Sequence, residues 1–329
     1  MRVLRWIGVA IFLSLTTSVS QAGQLRVVAS FSVLGDMVDE IAGDRVTLDI
    51  LVGPNGDSHV YEPSPQDAVA ISRADLVVLN GLSFEGWMPR LMDTADFKGE
   101  QLVLGEHIEP LEFGGDDHEQ AHQDEEHHEE HNGENHTGEH KHEDEHHHNH
   151  GEFDPHAWHS LPHAMTYVSV ITDTLADMDP ENARYYRQRG DRYRERLHHL
   201  HDWATDAMAR IPESRRRIIT PHDAYGYLEH EYGLHIESPQ GLSTESEASA
   251  RRLGELILQV RMNNISAVFL ENVASDNLIR QIERDAKVTF GGTLYSDALS
   301  EPSGPAATYE AMMRHNLETL INALQVPAP

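Results

Sequence analysis

Apolar and polar positions follow two alternating periods along most of this chain. Residues 25–29 (LRVVA) are rich in β-formers, and residues 33–41 then carry apolar side chains three and four positions apart, which is typical of a helix that packs on one face. Further strands are predicted at residues 46–52, 75–80 and 101–104, and later at 217–220, 234–237, 267–270 and 288–290. Further helices are predicted at 65–74 and 162–178, and later at 224–232, 246–263, 276–286 and 307–324. Strands that alternate with helices indicate βαβ units and a parallel sheet.

A long charged segment separates the two series. Asp179-Pro180 is a helix-start signal, with Asp as the N-cap and Pro at the first helical position, and residues 181–211 contain one Gly and no other breaker. At 1.5 Å per residue such a helix would be about 45 Å long, enough to cross a domain. The sequence therefore predicts an α/β protein of two Rossmann-like lobes with parallel sheets, residues 23–178 and 212–329, joined by one long rigid α-helix at 179–211.

The first 22 residues have the pattern of an export signal. Arg2 and Arg5 precede an apolar stretch at residues 6–15, and Ser20-Gln21-Ala22 resembles a small-x-small cleavage site. The alternative is an uncleaved membrane anchor, but a span takes about 20 apolar residues and this stretch is shorter. We expect cleavage near Ala22 and a location in a bacterial periplasm, without a membrane span in the mature form.

The chain contains no cysteine, which excludes thiolate zinc sites, structural disulfides and thiol catalysis. It also excludes a lipid-modified cysteine as a tether, so we expect a free soluble protein and a monomer. The formal net charge is −30, from 55 acidic and 25 basic residues. Such a surface repels nucleic acid and anionic membranes and attracts cations.

One segment, residues 114–151, interrupts the α/β pattern. It is rich in Asp and Glu, has almost no apolar residue and is therefore expected to be disordered. Its imidazoles and carboxylates predict auxiliary, low-affinity binding of transition metals. The histidines concerned are His118, His122, His127, His128, His131, His136, His140, His142, His146, His147, His148 and His150.

A few polar residues follow the predicted strands elsewhere in the chain. Because ligands of open α/β sheets bind at the carboxyl ends of strands, this position favours His59 and His222, each in a loop after a strand, and Asp297 after the last strand. His156 opens a helix just after the His-rich segment. Three imidazoles and one carboxylate would suit tetrahedral zinc. Each residue taken singly could also be a cap or a solvated side chain, and nothing in their spacing forces them together.

Four motifs lie around these residues and carry a resemblance to a known family. They are Asp57-x-His59-x-Tyr61-Glu62-Pro63, Asp154-Pro155-His156-x-Trp158, Pro221-His222-Asp223-Ala224 with Tyr232-Gly233-Leu234, and Gly291-Gly292-Thr293-Leu294-Tyr295-Ser296-Asp297. In these motifs and their order, over nearly all of its mature length, the chain resembles the periplasmic solute-binding proteins of zinc and manganese ABC transporters, the cluster A-I or ZnuA- and TroA-like group. Zinc-type members of this group often carry a His- and acid-rich loop in the same place.

The resemblance implies a metal site in the cleft between two lobes. It assigns His59 and His156 to the amino-terminal lobe and His222 and Asp297 to the other. Manganese-type members tend to have a carboxylate where this chain has His222, and imidazole favours zinc. The implied function is high-affinity capture of Zn²⁺ as the transported ligand, without catalysis, and delivery to an inner-membrane ABC permease with its ATPase. Manganese, or both metals, is the alternative within this class.

Three carboxylates are candidates for holding the ligand imidazoles in place. Glu62, Asp154 and Asp223 lie close in sequence to predicted ligands, and a carboxylate that accepts the second imidazole N–H fixes the ligand's tautomer. Glu62 could instead be a loop cap, and Asp154 and Asp223 could be helix N-caps.

Two functions of other classes compete with transport. A zinc hydrolase would need an open metal position for an activated water. The pattern His-Glu-x-x-His does occur at 118–122 and 142–146, but a segment so rich in His and Glu produces it by chance. The other competitor is a metal buffer in which the His-rich segment does the binding and the lobes are a scaffold.

Overall fold

Two four-stranded parallel sheets form the frame of the molecule, one in each lobe. The computed structural model describes residues 24–113, 153–245, 250–262, 265–286 and 288–325. The strands are β1 Leu25–Phe31, β2 Val46–Val52, β3 Leu76–Leu79, β4 Glu100–Val103, β5 Arg217–Ile219, β6 His235–Glu237, β7 Ala267–Glu271 and β8 Phe290–Leu294. The sheet orders are β2-β1-β3-β4 and β6-β5-β7-β8. The two lobes thus share one strand order. The point at which the order reverses direction lies between β1 and β3 in one lobe and between β5 and β7 in the other. Ligands of such sheets bind outside the strand carboxyl ends at that point.

Helices cover both sheets and connect the lobes. They are α1 Ser32–Ala42, α2 Pro65–Arg73, α3 Met88–Thr94, α4 Leu161–Met178, α5 Ala183–Met208, α6 Gly226–Tyr232, α7 Ala250–Met262, α8 Asp276–Ala286 and α9 Tyr309–Gln325. One continuous apolar core contains side chains of both lobes. The predicted architecture, two parallel α/β lobes and a long connecting helix, is confirmed. None of these helices has the length and apolarity needed to cross a membrane. The predicted export signal and segment 114–151 lie outside the described residues.

The connecting helix α5 begins later than the sequence predicts. Asp179 is not its N-cap, because the Asp179 carboxylate accepts hydrogen bonds from Asn182 Nδ2 and from the Tyr186 hydroxyl, both at 2.7 Å, and closes a turn ahead of the helix. Asn182 is the N-cap. The 26 residues of α5 span about 39 Å. Its single glycine, Gly190, lies against Thr172 of α4, where a Cβ atom would collide.

Two further differences from the predicted elements have local causes. The last strand is Phe290–Leu294 rather than 288–290, because β8 takes its register from β7 and continues through Gly291. A Cβ atom on Gly291 would meet the ring of Phe269, so glycine here permits close packing within the sheet. The seven-residue helix α3 has no counterpart among the predicted elements, since it is too short for a periodic pattern.

A cluster of charged groups joins both lobes to α5. Arg196 of α5 bonds Glu40 of α1 at 2.6 Å and Glu310 of α9 at 2.7 Å, so one guanidinium links the two lobes. Next to it, Asp36 Oδ2 of α1 accepts the Tyr309 backbone N–H of α9 at 2.7 Å. Burial raises the pKa of Asp36 to about 7, and this effect outweighs the opposing Tyr309 N–H bond.

The raised pKa of Asp36 predicts that this carboxylate costs stability at neutral pH. The unfolded value is 3.8 and the folded value about 7, so folding binds a proton between them, and stability falls as pH rises through that window. Asp36→Asn keeps the acceptor for Tyr309 and removes the charge. We expect it to raise the free energy of unfolding by roughly 1–4 kcal/mol at pH 8 and to leave it nearly unchanged at pH 4. Thermal and urea unfolding at both pH values measure this difference.

Asp39 offers the matched control on the same helix. Its side chain is exposed, so Asp39→Asn should change stability by less than about 0.5 kcal/mol at either pH. An Asp36→Asn effect of equal size at pH 4 and pH 8 would show that the pKa of Asp36 in the folded protein is not raised above its ordinary value of 3.8.

Candidate metal centre

Four side chains from distant parts of the chain converge between the lobes. One potential ligand atom from each of His59, His156, His222 and Asp297 lies within 4.8 Å of all the others. These are the four residues that the sequence predicts as ligands, and we call them the interlobe site. The structure places two of them on each lobe, so the site is complete only when the lobes face each other.

Each residue of the interlobe site is positioned by the end of a regular element. His59 lies in the loop after β2, and His222 follows β5 by three residues. Asp297 follows β8, also by three residues. His156 directly precedes a short 3₁₀ turn, Ala157–His159, that leads into α4. Three of the four therefore come from the carboxyl ends of parallel strands, as expected for this sheet type.

The separations within the site match a small tetrahedral ion. Asp297 Oδ2 lies 3.3 Å from both His59 Nε2 and His222 Nε2. His156 Nε2 lies 3.4 Å from His59 Nε2 and 3.7 Å from Asp297 Oδ1. Zinc–nitrogen bonds of about 2.0–2.1 Å give a tetrahedron with edges of about 3.3–3.4 Å. These four separations are close to such an edge, and the four side chains offer ligand atoms that all lie within 4.8 Å of one another, so one ion between them could bond all four after a contraction of the group.

The donor atoms are enclosed and lack other partners. The side chains of His156, His222 and Asp297 are 0 % exposed and that of His59 is 6 % exposed. Among the described residues, neither Asp297 oxygen forms a hydrogen bond of good geometry. Buried polar atoms without such partners are rare unless an ion or water satisfies them. The arrangement is thus that of a cation site rather than of a packed core.

Aromatic rings shield one side of the interlobe site from water. Phe84 meets the His59 ring edge-on at 4.9 Å between centroids, and Trp158 meets His156 at 5.4 Å. Phe84 and Trp158 also contact each other at 4.8 Å. An apolar wall lowers the local dielectric and strengthens the attraction between the carboxylate and a bound cation.

Asp154 fixes the orientation of His156. Its Oδ1 accepts the backbone N–H of His156 at 2.9 Å and the ring Nδ1–H at 2.8 Å. With the proton on Nδ1, the Nε2 lone pair is directed toward the other members of the interlobe site. Asp154 therefore has the geometry of the orienting carboxylate that the sequence predicts.

His222 is held by a carboxylate that the sequence analysis missed. The Nδ1 of His222 is bonded to Glu271, which ends β7, and Ser296 Oγ donates to Glu271 Oε2 at 3.1 Å. The sequence pointed instead to Asp223, whose backbone N–H bonds Gly241. Glu62 is exposed, and no contact joins it to the interlobe site within the described part of the chain. Glu271 could have been identified from the sequence because it is a polar residue at the carboxyl end of an apolar strand.

The charges of the site are strongly coupled. Burial alone would lower the pKa of His222, but the carboxylates of Glu271 and Asp297 outweigh it and hold this pKa well above its usual value. Burial alone would raise the pKa of Asp297, but His222, with His59 and His156, holds it well below its usual value. Asp297 is therefore an anion in a dry environment, which a bound cation would neutralise.

The loop that carries His59 is also bound to the opposite lobe. Asp57 Oδ1 accepts the His59 backbone N–H at 2.9 Å, and Asp57 Oδ2 accepts the Thr244 hydroxyl at 2.6 Å. Asn55 N–H donates to the Leu299 carbonyl at 2.9 Å. The position of His59 thus depends on contacts made when the lobes are together.

This chain matches known proteins over most of its length. The family model described as zinc-uptake complex component A, periplasmic, matches residues 27–323. The manganese-binding lipoprotein MntA of Bacillus subtilis (strain 168) is 32 % identical over 307 residues, which cover 92 % of this chain and 90 % of that protein.

Solved structures agree with the sequence comparison. The periplasmic zinc-binding protein TroA from Treponema pallidum has a TM-score of 0.77 and 26 % identity, and the match covers 92 % of this chain and 99 % of that one. The Mn-bound periplasmic metal-binding protein from Candidatus Liberibacter asiaticus has a TM-score of 0.73 and 28 % identity, covering 91 % and 98 %. The resemblance found in the motifs is confirmed, and the chain belongs to the zinc-uptake complex component A family, the periplasmic metal-binding, non-catalytic components of ABC transporters.

Proposed function

We propose that this chain captures Zn²⁺ at the interlobe site in the periplasm and delivers it directly to the permease of an ABC transporter. The observation that carries the proposal is the buried group of three imidazole nitrogens and one carboxylate, at the spacing of a tetrahedral zinc ion. Because each lobe supplies two donors, separation of the lobes would divide the site and release the metal. The ATPase bound to the permease would drive the transport step.

The donor set supports transport rather than hydrolysis. Catalytic zinc keeps a coordination position for the water that it activates. At the interlobe site four protein side chains would fill a tetrahedral shell. The hydrolase alternative requires an exchangeable water on the metal, and a shell filled by four side chains has no place for that water. It also requires turnover of an ester or a peptide, which depends on the same water.

Zinc is favoured over manganese by the chemistry of the donors. Three nitrogens and one oxygen suit zinc, whereas manganese prefers oxygen-rich, octahedral sites, and for a given set of ligands zinc also binds more tightly. Manganese remains the second candidate because relatives are named for it, the Bacillus subtilis protein among them. The Liberibacter protein has been solved both Mn-bound and Cd-bound, so that protein takes both types of ion.

Metal titration of two forms of the chain tests the proposal. We expect the full-length chain to bind one ion tightly and several weakly, and a variant lacking residues 116–150 to keep the tight site and lose the weak ones. Zinc should displace manganese from the tight site at equal concentrations. Competition with a chromophoric chelator gives both affinities.

Each component of the proposal can fail separately in this experiment. Loss of the tight site on deletion would mean that the His-rich segment is the binding element and the lobes a scaffold. Retention of manganese against equimolar zinc would assign the site to manganese.

A further inference from the structure

The two chain segments next to residues 114–152 are paired with each other. Glu112 and Phe153 form an isolated antiparallel bridge, and Asp154 N–H donates to the Leu111 carbonyl at 2.9 Å. We call these four residues the neck. Asp154 therefore has two roles in the amino-terminal lobe: its backbone closes the neck, and its side chain orients His156.

A single hydroxyl of the other lobe binds both strands of the neck. Tyr227 of α6 accepts the Leu111 backbone N–H at 3.1 Å and donates to the Asp154 carbonyl at 2.9 Å. Its side chain is 2 % exposed, so these bonds are made away from water. The hydroxyl has no other function in the proposed capture of metal.

The residue before Tyr227 lies equally close to Asp154. A Cβ atom on Gly226 would be only 2.5 Å from Asp154 Oδ2. Glycine at the first position of α6 thus allows the carboxyl-terminal lobe to approach the carboxylate that holds His156. Backbone geometry does not require glycine here, because Gly226 is not among the residues with positive φ.

We propose that Tyr227 and Gly226 form an interlobe latch on Asp154 that slows metal release. The latch rests on the proposed function. It acts as a positioning device: bonds that exist only when the lobes are together hold the residue that orients a ligand. Opening the lobes breaks both Tyr227 bonds and leaves Asp154 held only by contacts within its own lobe, so the orientation of His156 is less constrained as the site divides.

Tyr227→Phe in the full-length chain tests the latch. The variant keeps the ring, including its contact with His163, and removes both hydrogen bonds. We expect Zn²⁺ to pass to excess EDTA about tenfold faster, with the association rate unchanged, because the lost bonds belong to the closed state. Stopped-flow measurement of both rates shows whether the dissociation rate rises while the association rate stays the same. A general loss of fold stability would not produce that difference between the two rates.

Two further variants separate the latch from a simple packing effect. Tyr193→Phe removes an equally buried hydroxyl that has no hydrogen-bond partner among the described residues, and it should release metal within about twofold of the wild-type rate. Gly226→Ala raises helix propensity, so it should not weaken the fold locally. It should nevertheless speed release, because its methyl group displaces Asp154.

The outcomes distinguish the latch from the function on which it rests. A wild-type chain that retains neither Zn²⁺ nor Mn²⁺ overturns both proposals. A wild-type chain that holds metal, with Tyr227→Phe and Gly226→Ala releasing it at the wild-type rate, overturns the latch alone. Faster release in both variants but not in Tyr193→Phe supports it.

Discussion

His222→Ala is expected to lower the affinity for Zn²⁺ by about 10²–10³-fold. Structural zinc sites with four protein ligands bind with about 10–16 kcal/mol, so one ligand accounts for about 2.5–4 kcal/mol, and each 1.4 kcal/mol is a factor of ten. His222 is fully enclosed, with its Nε2 3.3 Å from Asp297. The truncation also leaves Glu271 without its imidazole partner in a buried place, which lowers the stability of the fold.

The affinity of His222→Ala is best measured in the variant that lacks residues 116–150. In the full-length chain, the histidines of that segment would bind zinc and mask the loss. His198→Ala is the matched control, since this histidine is 61 % exposed on α5 and pairs only loosely with Asp202 at 3.7 Å. It should change the affinity less than twofold, as expected for a solvated side chain. Equal losses in the two variants would show that zinc binds outside the interlobe site.

The fold could be predicted from the sequence because its signals are local. Apolar runs such as residues 76–79 and helical spacing such as that of residues 33–41 are sufficient to define α/β lobes. Boundaries were less accurate where a tertiary contact decides them. The α5 helix begins at Ala183 because the Asp179 carboxylate binds Tyr186, and no periodic pattern contains that information.

The interlobe site was accessible to sequence reasoning only in part. The strand-end rule selects His59, His222 and Asp297, but it does not select His156, which lies 97 positions from His59, and it was the family motifs that joined all four. The partners of the ligands show the limit of such reasoning. Asp154 lies two residues from its histidine and was identified from sequence, whereas Glu271 lies 49 residues from His222 and depends on the pairing of β5 with β7.

The neutral substitution Glu271→Gln is expected to weaken Zn²⁺ binding by about 10–100-fold, the usual effect of losing a carboxylate that supports a metal-bound imidazole. Glutamine keeps the length of the side chain and an acceptor for the Nδ1–H of His222, so the variant removes charge rather than shape. Three buried carboxyl groups, those of Asp297, Glu271 and Asp154, lie at the site or against its histidines, and together they favour a divalent cation there. Glutamine removes one of these three carboxyl groups and so weakens the attraction for the cation in a buried place.

Asp223→Asn provides the direct comparison, because the sequence offered Asp223 as a candidate supporting carboxylate, with a helix N-cap as the alternative, and it is Glu271 that contacts His222 in the structure. Zinc affinities of the two variants, measured by chelator competition, should rank Glu271→Gln as the weaker binder by at least about tenfold. A larger loss in Asp223→Asn would mean that proximity in sequence, and not the strand-end contact, determines which carboxylate supports the ligand. The expected ranking would show instead that β7 contributes to the metal site through a residue that never touches the metal.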